Sequence, residues 1–255
     1  MNQGFYDFSV RVGARLVRSL EQLLARASLI PNTPFLDPGQ FPWVRTLEDN
    51  WPVIRRELDA IMPRQAELPN FQDISRDQAH ISKDDGWKTF FFYAYGMRAD
   101  GNCQRCPETT RVLESLPGMK SAFFSILAPG KHIPLHRGPY RGVIRAHLGL
   151  IVPEPRERCR IQVGPEFAHW EEGKVMVFDD GYPHQVWNDT AGTRAVLFID
   201  MVRPLRFPVN LLNGFILRLI AWSPFIKDAE TNYKRWEKEF DRPTPPPPEI
   251  PARVA

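Results

Sequence analysis

At 255 residues, 43% of them hydrophobic and 25% charged, the chain has the make-up of a globular protein with one sizeable core. Its net charge of +3 includes no long Lys/Arg block and no nucleic-acid module signature, which argues against a nucleic-acid partner. Three cysteines make no disulfide framework and no apolar run approaches the ~18 residues of a membrane span, so a reducing, cytoplasmic location is expected.

Residues 5–27 are predicted as a helix. Phe8, Val12, Leu16, Leu20, Leu23 and Leu24 recur at helical spacing, while Arg11, Arg15, Arg18 and Arg26 interrupt any signal-peptide-like apolar stretch. The Pro- and Gly-rich stretch Ile30 to Gly39 ends that helix, and Trp51 to Ile61 is a second one. Trp87 to Tyr95 is aromatic and strand-like; Pro107 to Leu116 is a short helix with proline in its first turn.

From Lys120 the texture changes. Short β-prone runs follow at Ser121–Leu127, Gly142–Ile151, Cys159–Val163, Lys174–Phe178, His184–Trp187 and Arg194–Val202, separated by Pro and Gly turns. Many short strands with regular turns indicate a sandwich or jelly roll, mainly β with flanking helices. After Pro204 the chain turns helical again: Val209 to Trp222 is apolar on most sides but too short to span a bilayer. The expected divisions are 1–60 as a helical extension, 61–204 as the β domain, 205–240 as a helical segment and 241–255 as a Pro-rich disordered tail.

Two histidines, His136 and His184, each border a strand in a Gly/Pro-rich turn, and Arg194 follows the second by ten positions. This suits a non-haem Fe(II) site, where imidazoles leave open positions on the metal and an arginine grips an oxo-acid. Arg145 and His147, at i and i+2 on a strand, share one face. That face is either the interior or the polar stripe of an edge strand. Arg194 heads an apolar strand, either as a surface cap or as a carboxylate clamp. Ser125 is a hydroxyl inside an apolar strand, where a backbone-bonded serine is the commoner case. Cys103 and Cys106 form a CxxC without a second ligand pair, and read as reduced structural thiols.

Together these residues resemble the aspartyl/asparaginyl β-hydroxylase family of Fe(II)- and 2-oxoglutarate-dependent oxygenases, from about Trp87 to Pro204. The segments that carry the resemblance are Phe124 to Gly130, His136-x-Gly-Pro, Arg145-x-His-Leu-Gly-Leu, Trp170-Glu-Glu-Gly-Lys-Val, Phe178-Asp-Asp, His184-x-Val-Trp and Arg194. Residues 30–60 and the apolar segment after Pro204 resemble a bacterial branch, the lipid A 2-hydroxylases.

The resemblance implies a double-stranded β-helix, cupin-like, with 61–204 as the oxygenase domain. It implies iron on His136 and His184, and O2 and 2-oxoglutarate as cosubstrates. Arg194 and Ser125 would hold the distal carboxylate, Arg145 and His147 would lie near the metal-binding end, and Trp87 matches a tryptophan of the cosubstrate pocket. Most related oxygenases carry an acidic residue two positions after the first histidine. Here that residue is Gly138, as in the animal aspartyl hydroxylases, which would leave iron with two neutral protein ligands.

The implied reaction hydroxylates an unactivated C–H bond. Family placement favours the β-carbon of Asp or Asn in a peptide; the bacterial branch favours a lipid-borne acyl chain; a non-catalytic jelly-roll binding module is the alternative of another class. If the substrate is a lipid, the terminal helices are expected to touch the inner face of the membrane.

Overall fold

The computed structural model describes residues 19–75 and 81–240. The first part of the expected N-terminal helix and the Pro-rich tail lie outside the described residues.

Eleven strands form two sheets among the described residues. In chain order they are β1 (Phe35–Leu36), β2 (Trp87–Ala94), β3 (Met97–Arg98), β4 (Met119–Leu127), β5 (His132–His136), β6 (Val143–Ile151), β7 (Cys159–Val163), β8 (Glu166–His169), β9 (Val175–Phe178), β10 (His184–Asn188) and β11 (Arg194–Val202). The larger sheet runs β1-β9-β6-β11-β4-β2-β3 and the smaller β5-β10-β7-β8. From β4 onward the chain passes back and forth between the sheets, and its strand order is that of a double-stranded β-helix. The expected jelly roll is therefore present, cupin-like and flanked by helices.

The helices are α1 (19–27), α2 (Pro42–Asp49), α3 (Trp51–Ile61), α4 (Phe71–Ile74), α5 (Asp100–Arg105), α6 (Pro107–Glu114), α7 (Val209–Ala221) and α8 (Pro224–Phe240). The larger sheet is buried on both faces, which explains its near-continuous apolar strands. On β6, Ile144, Ala146, Leu148 and Leu150 pack outward, and on β11 Leu197 and Ile199 do so, against Val44, Leu47, Ile54 and Leu58 of α2 and α3. The alternate positions face the gap between the sheets. There Phe123, Val196 and Phe198 meet Ile161, Val163 and Val186 of the smaller sheet. Period-two alternation thus puts one set of residues under the helices and the other inside the roll.

Gly149 of β6 is required by close approach. A Cβ there would lie 2.1 Å from the carbonyl oxygen of Glu171, whose segment crosses directly above.

Among the described residues, 19–60 contribute a strand as well as helices and pack on the roll. β1 pairs with β9 through Phe35↔Phe178 and Leu36↔Val177, and α2 and α3 cover the sheet. Strands β5 and β8 are further departures from the expected pattern. Both are edges of the smaller sheet: β5 carries Pro134, which an edge tolerates, and β8 is largely exposed, so neither shows an apolar alternation.

Candidate active site

All seven singled-out residues line one cavity of about 120 Å³ between the sheets: Trp87, Ser125, His136, Arg145, His147, His184 and Arg194. The cross-strand register brings them together. His184 sits opposite His136, Val196 opposite Ser125, and Phe198 opposite His147.

The imidazoles of His136 and His184 lie 4.1 Å apart between ring centroids, tilted by 55°. Each holds a backbone carbonyl with Nδ1: His136 reaches Pro134 O at 2.8 Å, and His184 reaches Tyr182 O at 2.9 Å. A carbonyl only accepts, so both Nδ1 atoms carry hydrogen, and Nε2 is the nitrogen each ring has left for a metal. Burial, with the positive potential of His136 and Arg145, pushes His184 down to about 3, so it is neutral across the physiological range. Two adjacent imidazoles, each with Nδ1 fixed on a carbonyl, suit a divalent metal. Among the described residues no three His, Cys, Asp or Glu side chains form a metal cage.

Arg194 is 1% exposed, so the surface-cap reading does not hold. Its Nη1 donates to Ser125 O at 3.3 Å, its guanidinium stands 4.7 Å from the centre of the Trp170 ring, and its Nε has no hydrogen-bond partner. Burial lowers it to about 10, and no carboxylate is within ion-pair reach among the described residues. A buried charge without a counter-ion is costly unless a ligand supplies one. Ser125 Oγ accepts from Trp87 Nε1 at 3.0 Å, which leaves the hydroxyl hydrogen to donate. Trp87 is held by stacking on Phe71, with centroids 4.0 Å apart.

His147 is a second orphaned donor. Its Nδ1 accepts from Trp170 Nε1 at 3.3 Å, so Nε2 carries the hydrogen, and this buried Nε2 has no partner. Burial and the nearby Arg194 and Arg145 hold His147 well below the usual range, hence neutral. Trp170 thus orients both His147 and Arg194.

Arg145 and His147 face the interior, not an edge: β6 lies between β9 and β11. Arg145 differs from Arg194 in being neutralised already. It pairs with Asp180 at 2.8 Å and Asp200 at 3.0 Å, and lies over the Phe198 ring at 4.2 Å. Burial opposes its charge, but the two carboxylates outweigh that and raise its pKa. Burial also lifts Asp180, to about 6, against the pull of Arg145.

Asp180, Asp200 and Tyr95 belong to this polar wall. The sequence offered Asp179 or Asp180 as a carboxylate that could complete the metal site but pointed to no role for Asp200 or Tyr95; the structure pairs Asp180 with Arg145. Asp180 stands in the Phe178-Asp-Asp segment, and Asp200 interrupts the apolar run of β11; each was a visible signal. Tyr95, at φ 46°, is in a region uncommon for a non-glycine residue, and its ring reaches the cavity.

A sequence-family model described as Aspartyl/Asparaginyl beta-hydroxylase matches residues 48–204. The chain belongs to this family of hydroxylases. One family relative, the ornithine lipid ester-linked acyl 2-hydroxylase of Rhizobium tropici, is 46% identical over 88% of this chain and 80% of its own length. The human aspartyl/asparaginyl beta-hydroxylase is 34% identical over 66% of this chain, which spans only 22% of that longer protein. Among solved structures, a Pseudomonas putida prolyl-4-hydroxylase aligns at 16% identity with a TM-score of 0.39, over 63% of this chain and 98% of that one. For this family member the jelly roll rests on strand order.

The remaining motif, Cys103 and Cys106, does not line the cavity and packs in the core beneath the helices. Both thiols are free and buried, at 2% and 0% exposure, and burial raises both above the usual thiol range.

Proposed function

We propose that the protein is an Fe(II)- and 2-oxoglutarate-dependent dioxygenase that hydroxylates an acyl chain of a membrane lipid. The observation that carries the cosubstrate is the buried, unneutralised Arg194 on the same cavity as the histidine pair. A dicarboxylate reaching from the histidines to Arg194 supplies the missing counter-ion.

In this reading His136 and His184 hold the metal through Nε2. Arg194 grips the distal carboxylate with its guanidinium fork, and Ser125, set by Trp87, donates to the same group. His147 Nε2–H donates toward the metal-binding end. Arg145, fixed and neutralised between Asp180 and Asp200, shapes that wall without demanding a counter-ion from the ligand. Iron with 2-oxoglutarate and O2 supplies the oxidising power; the protein positions the chain and keeps water from the reacting carbon.

The acyl chain is supported by the 46% identity to a lipid acyl 2-hydroxylase and by the hydrocarbon that helices bring to the cavity: Phe71 and Ile74 from α4, Ile226 and Ala229 from α8. A second reading, the β-carbon of Asp or Asn, has the support of the human relative and of Arg137 on the cavity wall, a cation suited to an acidic residue.

The test of the chemistry is succinate release. Wild type should need added Fe(II) and 2-oxoglutarate. His136→Ala and His184→Ala should lose activity by at least about a hundredfold, because each removes one of the two imidazoles that would hold the metal. Normal succinate production by either variant overturns the assignment.

A further inference from the structure

Helix α7 presents its hydrocarbon to solvent. Of its thirteen residues only Asn213 and Leu217 are buried. Leu211 is 62% exposed and Phe215 57%, while Phe207 and Trp222, just beyond its ends, are 76% and 72% exposed. At ~100° per residue, positions 211, 222, 215, 219 and 212 fall in that order within one sector of about 100°, with Arg218 at its edge and Phe207 in the turn just before the helix. Six of the ten large hydrophobic side chains exposed among the described residues belong to this one patch, which therefore is not ordinary surface scatter.

The opposite face is anchored beside the active-site cavity. Asn213 Nδ2 donates to Gly142 O at 2.9 Å, and Asn213 Oδ1 accepts from the Tyr140 hydroxyl at 2.7 Å. Tyr140 directly follows the cavity-lining loop Arg137–Pro139, and α7 leads into α8, whose Ile226 and Ala229 are in the cavity wall. Helix α1 packs on the same platform through Leu24, Ala27, Tyr140 and Val209, and nearby Leu23 and Leu29 are 40% and 59% exposed.

Charge selects the occupant. Residues 201–227 contain no Asp or Glu, yet Arg206 and Arg218 are exposed and form no ion pair among the described residues. An apolar stripe bordered by unneutralised arginines complements an anionic lipid surface. A two-fold contact between copies through this face would bring these like charges together with no carboxylate to offset them. At ~1.5 Å per residue α7 is roughly 20 Å long, against a hydrocarbon core of ~30 Å, so it can lie in the interface but not cross it.

We propose that α7, with α1 beside it, is the docking surface of this protein on anionic bilayers. Phe207, Leu211, Phe215 and Trp222 insert among the acyl chains, Arg206 and Arg218 meet lipid phosphates, and the cavity is held at the membrane surface. The purpose of this docking, though not the docking itself, rests on the acyl-chain reading above.

The test is co-sedimentation of the full chain with vesicles of phosphatidylcholine alone or with added phosphatidylglycerol. Wild type should pellet with the anionic vesicles, and less so at high salt. Leu211→Glu/Phe215→Glu, whose positions are exposed and whose thermal stability should match wild type, should bind about tenfold more weakly or less. Brominated lipid should quench wild-type tryptophan fluorescence, and Trp222→Phe should lose most of that quenching. Wild type left in the supernatant overturns the docking, as does equal pelleting of the double variant. So does a dimer that the double variant dissociates without any vesicle binding. Pelleting without oxidation of any acyl chain leaves the docking standing and removes the acyl reading instead.

Discussion

The carboxylate of Asp180 occupies the space where a side chain on residue 138 would begin: a Cβ on Gly138 would lie 1.9 Å from Asp180 Oδ2. The two segments are also tied by Gly138 N–H donating to Asp180 O at 2.8 Å. Glycine at 138 and aspartate at 180 are thus one arrangement, in which a carboxylate from the β9–β10 turn fills the gap after His136.

Gly138→Ala should destabilise the fold by about 1–3 kcal/mol, the usual cost of forcing extra volume into a packed site, because Asp180 can yield only by leaving Arg145. Gly138→Asp should be worse, and the double variant Gly138→Asp/Asp180→Gly should recover much of the loss by moving the carboxylate from one backbone to the other. Thermal unfolding checks this. A Gly138→Ala protein as stable as wild type would show that the Asp180 side chain is not fixed there.

Arg194 is a site where function opposes stability. Without cosubstrate, Arg194→Met should be as stable as wild type or more so, since it removes a buried charge that has no counter-ion. Adding 2-oxoglutarate should raise the melting temperature of wild type but not of this variant. Arg194→Lys keeps the charge but loses the fork, so its apparent 2-oxoglutarate requirement should rise about tenfold or more. An unchanged requirement would place the distal carboxylate elsewhere.

Acid should expose His184. Its folded-state pKa of about 3 lies below the unfolded value of ~6.5, so between these limits the unfolded chain binds more protons, and stability falls as pH falls. Asp180, raised to about 6, works the other way: the folded state takes up its proton first, which favours folding as pH drops through that range. Comparing metal-free wild type with His184→Asn from pH 7 to about 4 separates the two. Wild type should lose more stability than the variant over this range; parallel curves would show that His184 is not held neutral.

Cys103, Cys106 and Cys159 are all buried and shifted toward the unreactive thiol. A thiol reagent near neutral pH should label none of them in the native protein and three per chain after denaturation. Rapid native labelling at Cys103 or Cys106 would reopen a redox role for the CxxC.

Much of this was legible in the chain. The apolar runs of the larger sheet announced themselves because both faces are buried, and β7 and β11 fall on the stretches the sequence marked, Cys159–Val163 and Arg194–Val202. Ser125, Arg145, His147 and Arg194 stood out as polar side chains in apolar strands and His136 and His184 as histidines in Gly/Pro-rich turns beside strands, while Trp87 came only from the family resemblance; all seven line one cavity. Less visible were the edge strands β5 and β8, whose exposed residues carry no alternation, and β1, two residues long. The orientation of Arg145 and His147 was also open, since spacing puts them on one face without saying which way it looks. The pairing of β6 between β9 and β11 decides it, and that is a long-range fact. The Asp180–Gly138 exchange is of the same kind, joining residues from different turns.

The central claim is hydroxylation of a lipid acyl chain, and mass spectrometry of the product tests it most directly. Purified protein with Fe(II), 2-oxoglutarate and O2 should be offered an ester-acylated ornithine lipid and an Asp-containing peptide in the same mixture. The account predicts one added oxygen on an acyl fragment of the lipid, formed in step with succinate and absent from the His184→Ala reaction. Oxygen added to the peptide's aspartate, with the lipid unchanged, would contradict it.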